Sequence, residues 1–223
     1  MRFKAAADPL LRIELSMDQR RAMKSAALRL DSEFTGTVST ETIERFLYSS
    51  YDQLAARANV HDFLTLLAER FARQRLRALA KAEGKSTEGK PAVLFLCNHN
   101  AGRSQMAMGM FSRLAGGAAV AWSGGSEPKG EINPAVIAVM AERGIDLADE
   151  YPKPWTDEIL EAADVIIAMG CGDAPKTLPG RRYEDWVLDD PDGKDVAAVR
   201  PICDEIEGRV LRLVAELGIP RQA

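Results

Sequence analysis

The sequence predicts an α/β protein: a small, doubly wound, parallel four-stranded sheet preceded by a bundle of three helices. Two observations carry this prediction. Up to about residue 82, apolar residues recur at spacings of three and four, without strand-like alternation. From Pro91 onward, short continuous apolar runs alternate with helical segments, the pattern of parallel strands covered on both faces. Between the two regions, Lys81-Ala-Glu-Gly-Lys-Ser-Thr-Glu-Gly-Lys has no apolar periodicity and predicts an exposed linker. The expected organisation is a helical bundle over residues 1–82, a linker at 83–90 and a sheet domain over 91–223.

The bundle elements follow in order. A first helix is expected from Asp18 to Asp31, ended by Phe34-Thr-Gly-Thr-Val. Ser39 is placed to cap a second, whose apolar face is Ile43, Leu47, Tyr51 and Leu54. The third carries Val60, Phe63, Leu67, Phe71, Leu76 and Leu79, with arginines on its other side. Arg70, Arg73, Arg75 and Arg77 read as a solvated face rather than a nucleic-acid surface, because acidic residues nearly balance the bundle.

In the sheet domain the first strand is Ala92 to Leu96, and a helix follows from Ser104 to Leu114. A second strand, Ala118 to Trp122, ends at Ser123-Gly-Gly. Pro134 to Arg143 is a helix with Gly144 at its C-terminal end. Thr156 is placed to cap Asp157 to Ala162, and Val165 to Met169 is the third strand. Tyr183 to Leu188 is the fourth, and the last helix runs from Ala197 to a break near Gly218-Ile-Pro220. In sheets of this kind ligands bind beyond the carboxyl ends of the strands, which is where Cys97 falls.

Composition narrows the setting. No apolar stretch approaches membrane-spanning length, and a net charge of −4 carries no nucleic-acid footprint. Asp8, Arg12 and Glu14 interrupt any signal core, so a cytoplasmic protein is expected, with no membrane or nucleic-acid partner. Three cysteines do not make a structural disulfide framework, so their value is expected to be chemical. With two histidines there is little material for a metal site, and none is expected. A site built from Cys97, His99 and Cys171 would need the loop amides turned away.

The segment Cys97-Asn98-His99-Asn100-Ala101-Gly102-Arg103-Ser104 joins a strand to a helix start. Such a turn can ring a tetrahedral oxyanion with backbone N–H groups at the positive end of the helix. Cys97 is the candidate nucleophile, with its charge favoured by the helix N-terminus, the amides and Arg103. The cradle is the backbone from Asn98 to Ser104, where Gly102 permits close approach. Arg103 is the clamp, its fork matching two oxygens at once. Ser104 is placed to donate its hydroxyl to the sulfur, and Asn100 to hold the loop. A general acid is offered by Asp190, just before Pro191, which biases its backbone toward an extended form. Asp189 is left as a neighbour or cap, and burial or the bound anion is expected to keep Asp190 in its acid form.

These residues resemble a known family. Residues 91–215 are similar to the arsenate reductases built on the low-molecular-weight protein tyrosine phosphatase fold, especially the thioredoxin-coupled kind. The likeness rests on Cys97-Asn-His-Asn-Ala-Gly-Arg-Ser-Gln-Met106, Asp164-Val-Ile-Ile-Ala-Met-Gly-Cys171-Gly-Asp173 and Tyr183-Glu-Asp-Trp-Val-Leu-Asp-Asp-Pro191. The helical bundle looks like an extension found in some relatives. The resemblance implies attack by Cys97 on arsenate, a second attack by Cys171 on the resulting adduct, and release of arsenite. It implies no tightly bound cofactor but an external reductant, with phosphate or sulfate as arsenate analogues.

The chain departs from this pattern in two places. A third cysteine usual in thioredoxin-coupled members is absent, since Gly172-Asp-Ala-Pro175 holds proline at the expected place. Either Cys97 and Cys171 form a disulfide that thioredoxin reduces directly, or a small thiol resolves the adduct with a glutaredoxin- or mycothiol-type partner. Cys203 is the other candidate for a redox relay. Met108 stands where several relatives carry a glutamate beside an alkali cation, so no potassium dependence is expected. The competing expectations are a phosphatase acting on phosphotyrosine or small phosphoesters, and a chain whose working part is the bundle, as a regulator or docking module. Asp192-Gly193 after Asp-Pro, rather than aromatic residues, favours the small oxyanion.

Overall fold

Serine side chains set where the first two helices begin. A computed structural model describes residues 15–56, 63–86, 89–170 and 179–220. Helix α1 spans Met17–Glu33, opened by a capping box in which Ser16 and Gln19 each hold the other's backbone N–H. Helix α2 spans Thr40–Ala55, with Ser39 Oγ accepting from the Thr42 amide. Helix α3 spans Leu64–Ala82. Val60 and His61 lie outside the described residues. By contact the chain divides into two units, Met1–Leu76 and Arg77–Ala223, with the division falling inside α3.

The first unit buries Met23 and Leu30 from α1, Ile43, Leu47 and Tyr51 from α2, and Leu64, Ala68, Phe71 and Leu76 from α3. Two expectations change here. Phe63 is exposed and Leu64 takes the inward position, in line with Ala68 and Phe71 along the buried face of α3. Arg75 belongs to the interior: its guanidinium lies 4.7 Å from the Phe46 ring centroid and 5.4 Å from that of Phe71, and it donates to Ser50 Oγ at 3.0 Å. Glu69 is also buried and accepts from Arg29 Nε at 3.0 Å and Arg73 Nη2 at 2.9 Å. Those guanidiniums, Arg29 first, hold its carboxyl below the usual glutamate range.

The second unit holds four parallel strands: β1 (Ala92–Cys97), β2 (Val120–Gly125), β3 (Val165–Ala168) and β4 (Arg182–Asp185), in the order β2-β1-β3-β4. Its helices are α4 (Arg103–Ala115), α5 (Pro134–Glu142), α6 (Asp157–Ala162) and α7 (Val196–Glu216). β1 is buried along its whole length, as its unbroken apolar run requires. Val93, Phe95 and Cys97 face α4, α5 and α7, and the Phe95 ring centroid lies 5.7 Å from Phe111 and 6.1 Å from Trp186.

The ends of β2 and β4 and the cap of α6 differ from expectation. β2 runs on through Ser123-Gly-Gly instead of ending there, because its register with β1 carries Gly125 opposite Cys97. A Cβ on Gly125 would lie 2.6 Å from Asn98 O, so glycine here marks close backbone approach rather than a strand end. β4 ends at Asp185, where Trp186 N–H makes a last ladder bond to Ala168 O at 2.7 Å before the chain turns. Thr156 occupies the first position before α6, yet its hydroxyl makes no cap bond and is buried without a partner.

Phe95→Ala should destabilise the protein by about 3–5 kcal/mol, the range for emptying a buried aromatic site. Urea unfolding monitored by the tryptophan fluorescence checks this.

Candidate active site

The loop after β1 carries a left-handed residue at Asn100, φ 47°, the one non-glycine with positive φ among the described residues. Asparagine tolerates this conformation because its short polar side chain bonds locally. The loop's carbonyls are engaged on one side. Asn98 O accepts from Glu127 N at 2.8 Å, His99 O from Lys129 N at 3.0 Å, and Ala101 O from Asn133 N at 2.9 Å. A planar trans peptide sets each following N–H antiparallel to the carbonyl. The amides of His99, Asn100 and Gly102 therefore turn away from the 127–133 segment.

The Asn100 side chain then determines a proton. Its Oδ1 accepts from the backbone N–H of Lys153 at 2.9 Å, and a backbone amide can only donate. The other end must therefore be the NH2 group, which donates to Ser104 Oγ at 2.8 Å. Ser104 Oγ lies 2.9 Å from Cys97 Sγ. When Cys97 is a thiolate it has no proton to give, so across this contact the Ser104 hydroxyl donates to the sulfur. All three residues are buried, so this chain of bonds runs without competing water. Gln105 Nε2 ties the same loop to Asn100 O at 3.0 Å and to Tyr151 O at 3.1 Å.

A cleft opens over this floor, lined by Cys97, His99, Ala101, Gly102 and Arg103 on one side. Lys129, Asn133, Asp190, Pro191 and Asp192 line the other. Arg103, the first residue of α4, is buried and donates Nη2 to Asp190 Oδ2 at 2.7 Å. Asp190 itself is half-exposed rather than buried. Its other oxygen accepts from Asp192 N at 3.1 Å, and Asn133 Nδ2 donates to Pro191 O at 2.9 Å. Gly102 is obligatory here: a Cβ on it would lie 2.5 Å from Pro191 Cγ.

Of the expected site residues, Cys97, His99, Ala101, Gly102, Arg103 and Asp190 line one cleft, Asn100 and Ser104 are fully buried and bonded to one another next to Cys97, and Asn98 is not part of the lining. Cys171 lies outside the described residues. Cys203 is fully buried on α7, 3.9 Å from Met140 Sδ, and burial pushes its thiol up to about 11. Sequence reasoning missed Lys129, Asn133 and Lys153, whose sequence neighbourhoods give no sign that tertiary contacts bring them to Cys97. Asn133-Pro134 does carry a signal, as a helix cap followed by proline. Lys153 is buried, its ammonium 3.1 Å from Glu150 Oε2 and 4.7 Å from the Tyr151 ring centroid.

Two family models match separate stretches of the chain. Residues 92–223 match the model of the low molecular weight phosphotyrosine protein phosphatase family. Residues 23–80 match that of a protein-tyrosine-phosphatase-like N-terminal domain. A putative arsenate reductase of Halobacterium salinarum is 36% identical over 130 residues, 56% of this chain and 91% of that protein. The glutaredoxin arsenate reductase of Synechocystis is 34% identical over 129 residues, 56% of this chain and 98% of that protein. A solved structure of the thioredoxin-dependent arsenate reductase of Corynebacterium glutamicum is similar at TM-score 0.81 and 42% identity, covering 89% of this chain and 97% of that one.

Asn100→Ala should lower stability by about 1–3 kcal/mol, since it strands the buried Lys153 amide and places alanine at positive φ. It should also slow alkylation of Cys97 by iodoacetamide, because Ser104 loses the bond that directs its proton. Thermal unfolding and mass-resolved alkylation measure the two effects.

Proposed function

The chain belongs to the low molecular weight phosphotyrosine protein phosphatase family, and from that membership we propose that it reduces arsenate to arsenite with Cys97 as the nucleophile. One observation carries the reading: a cysteine sulfur, directed by the Ser104 hydroxyl, shares a cleft with a buried arginine and a carboxylate held at its mouth. The arsenate reductases among its relatives support the choice of arsenate over a phosphoester.

In this mechanism the Cys97 thiolate attacks arsenic, forming an S–As bond while one As–O bond breaks. Asp190, freed when Arg103 turns to the anion, takes up a proton from solvent at its exposed side and passes it to the departing oxygen, which leaves as water. Arg103 turns its fork to two of the remaining oxygens, and the loop amides take the charge that develops there. A second thiolate, Cys171, then attacks Cys97 sulfur. The electron pair of the S–As bond stays on arsenic, which falls from As(V) to As(III) and departs as arsenite. The two sulfurs are left oxidised as a disulfide, which an external dithiol reduces. Phosphorus in the same cradle has no comparable lower state within reach, so phosphate binds as an analogue without reduction.

Thioredoxin is the proposed reductant, with a glutaredoxin- or mycothiol-type donor as its counterpart if a small thiol resolves the adduct. Cys203 is left out of the relay because it sits in the core as a protonated thiol. No described helix is long and apolar enough to cross a membrane. The cytoplasm, where thiols are kept reduced, suits this chemistry.

The test is arsenite release measured in parallel with thioredoxin, glutaredoxin plus glutathione, and mycothiol systems. Cys97→Ser should abolish release with every donor, and Cys171→Ser should halt it after a first adduct. Cys203→Ala should retain turnover. Asp190→Asn should lower kcat by about 10²–10⁴. Rapid cleavage of para-nitrophenyl phosphate with no arsenite from any donor would sink the assignment.

A further inference from the structure

The mouth of the cleft is bridged by an ion pair that the chemistry at Cys97 does not use. Lys129 Nζ lies 2.6 Å from Asp192 Oδ1, joining the segment after β2 to the segment after β4. Both residues line the cleft, and both side chains are about half-exposed, at 41% and 55%. Their backbones are anchored. Lys129 N–H is bonded to His99 O at 3.0 Å, Asp192 N–H to Asp190 Oδ1 at 3.1 Å, and Asn133 Nδ2 to Pro191 O at 2.9 Å. The Lys129 bond is the foremost cause holding the Asp192 carboxyl below the usual range.

An exposed pair of this kind contributes little to stability. Its position gives it another use. Displacement at a tetrahedral centre runs in line, so the leaving oxygen lies opposite the attacking sulfur. With Cys97 on the floor, that oxygen points out toward the mouth. In a bare oxyanion it carries at most a proton, whereas in an ester it carries the organic group. An aromatic ring held between two walls needs them about 7 Å apart, because each non-bonded carbon contact takes about 3.5 Å. Where the two side-chain tips meet at 2.6 Å they leave no such slot.

We propose that the Lys129–Asp192 bridge is a selectivity strap, which admits a bare tetrahedral oxyanion to Cys97 and excludes esters whose fourth oxygen bears an aryl group. It deepens the arsenate reading and rests on it. The pair is also charge-neutral, so the strap narrows the mouth without setting an uncompensated carboxylate in the path of an incoming dianion. Being weak and solvent-exposed, it can part and re-form as small anions pass.

The test uses protection of Cys97 from iodoacetamide, read at the Cys97 peptide by mass spectrometry, so that it does not depend on arsenate turnover. Inorganic phosphate and phenyl phosphate are the two probes. In the unmodified protein, phenyl phosphate should protect about threefold to fivefold more weakly than phosphate, the most that parting an exposed ion pair costs. The double change Lys129→Ala/Asp192→Ala keeps the net charge and removes the bridge, and should bring the two probes to nearly equal protection. The exchanged pair Lys129→Asp/Asp192→Lys should restore the preference, which a merely structural role for either residue would not do. Equal protection in the unmodified protein, a preference unchanged by the double alanine, or a loss that the exchange fails to reverse would each overturn the strap. If neither probe protects, the oxyanion site itself fails and the strap with it. If phosphate protects but no donor yields arsenite, only the reduction is lost.

Discussion

A single hydrogen bond, from the Lys153 backbone amide to the Asn100 side-chain oxygen, is the constraint on which the site depends. Because that amide can only donate, it orients the carboxamide, and the carboxamide in turn orients Ser104 toward Cys97. The groups that lead up to the sulfur are a backbone amide, a carboxamide and a hydroxyl, none of them charged, and once Cys97 is a thiolate they end in a proton aimed at it. The same bond holds Asn100 in the left-handed conformation that sends the loop round. Through Gln105 and Tyr151, the 151–153 segment supports the loop a second time.

Around this floor the molecule spends its polar contacts on the cleft's two walls. The 127–133 segment takes the loop's carbonyls, which frees its amides for an anion. The 190–192 segment meets Arg103 on one side and Asn133 on the other. Gly102 lets Pro191 pack directly on the loop backbone, so the candidate acid is carried by a segment in van der Waals contact with the anion cradle. An enzyme that must hold a small, highly charged guest profits from such rigidity, since each donor is in place before charge develops.

Buried charge shows where a one-dimensional reading falls short. Arg75 looks like one more arginine on the polar side of α3, but two rings and a serine hydroxyl receive it indoors. Lys153 lies within an irregular stretch and is nonetheless buried against Tyr151 and Glu150. Periodicity marks where apolar side chains go. It says nothing of a charged group whose partners come from another helix or from a distant loop.

The order of elements, the parallel sheet, the strand-to-helix loop from Cys97 to Ser104 and the nearness of Asp190 to Arg103 could be read from the chain, because each rests on local signals: apolar run length, a cap, a glycine, a proline after an acid. Tertiary structure alone decided that Ser123-Gly-Gly stays within β2, that Asn100 is oriented by Lys153, that Cys203 is sealed in the core, and that Lys129 reaches Asp192. These features depend on which backbones approach one another across long sequence separations. Such distances exist only once the sheet has brought the ends of β1, β2 and β4 to one edge.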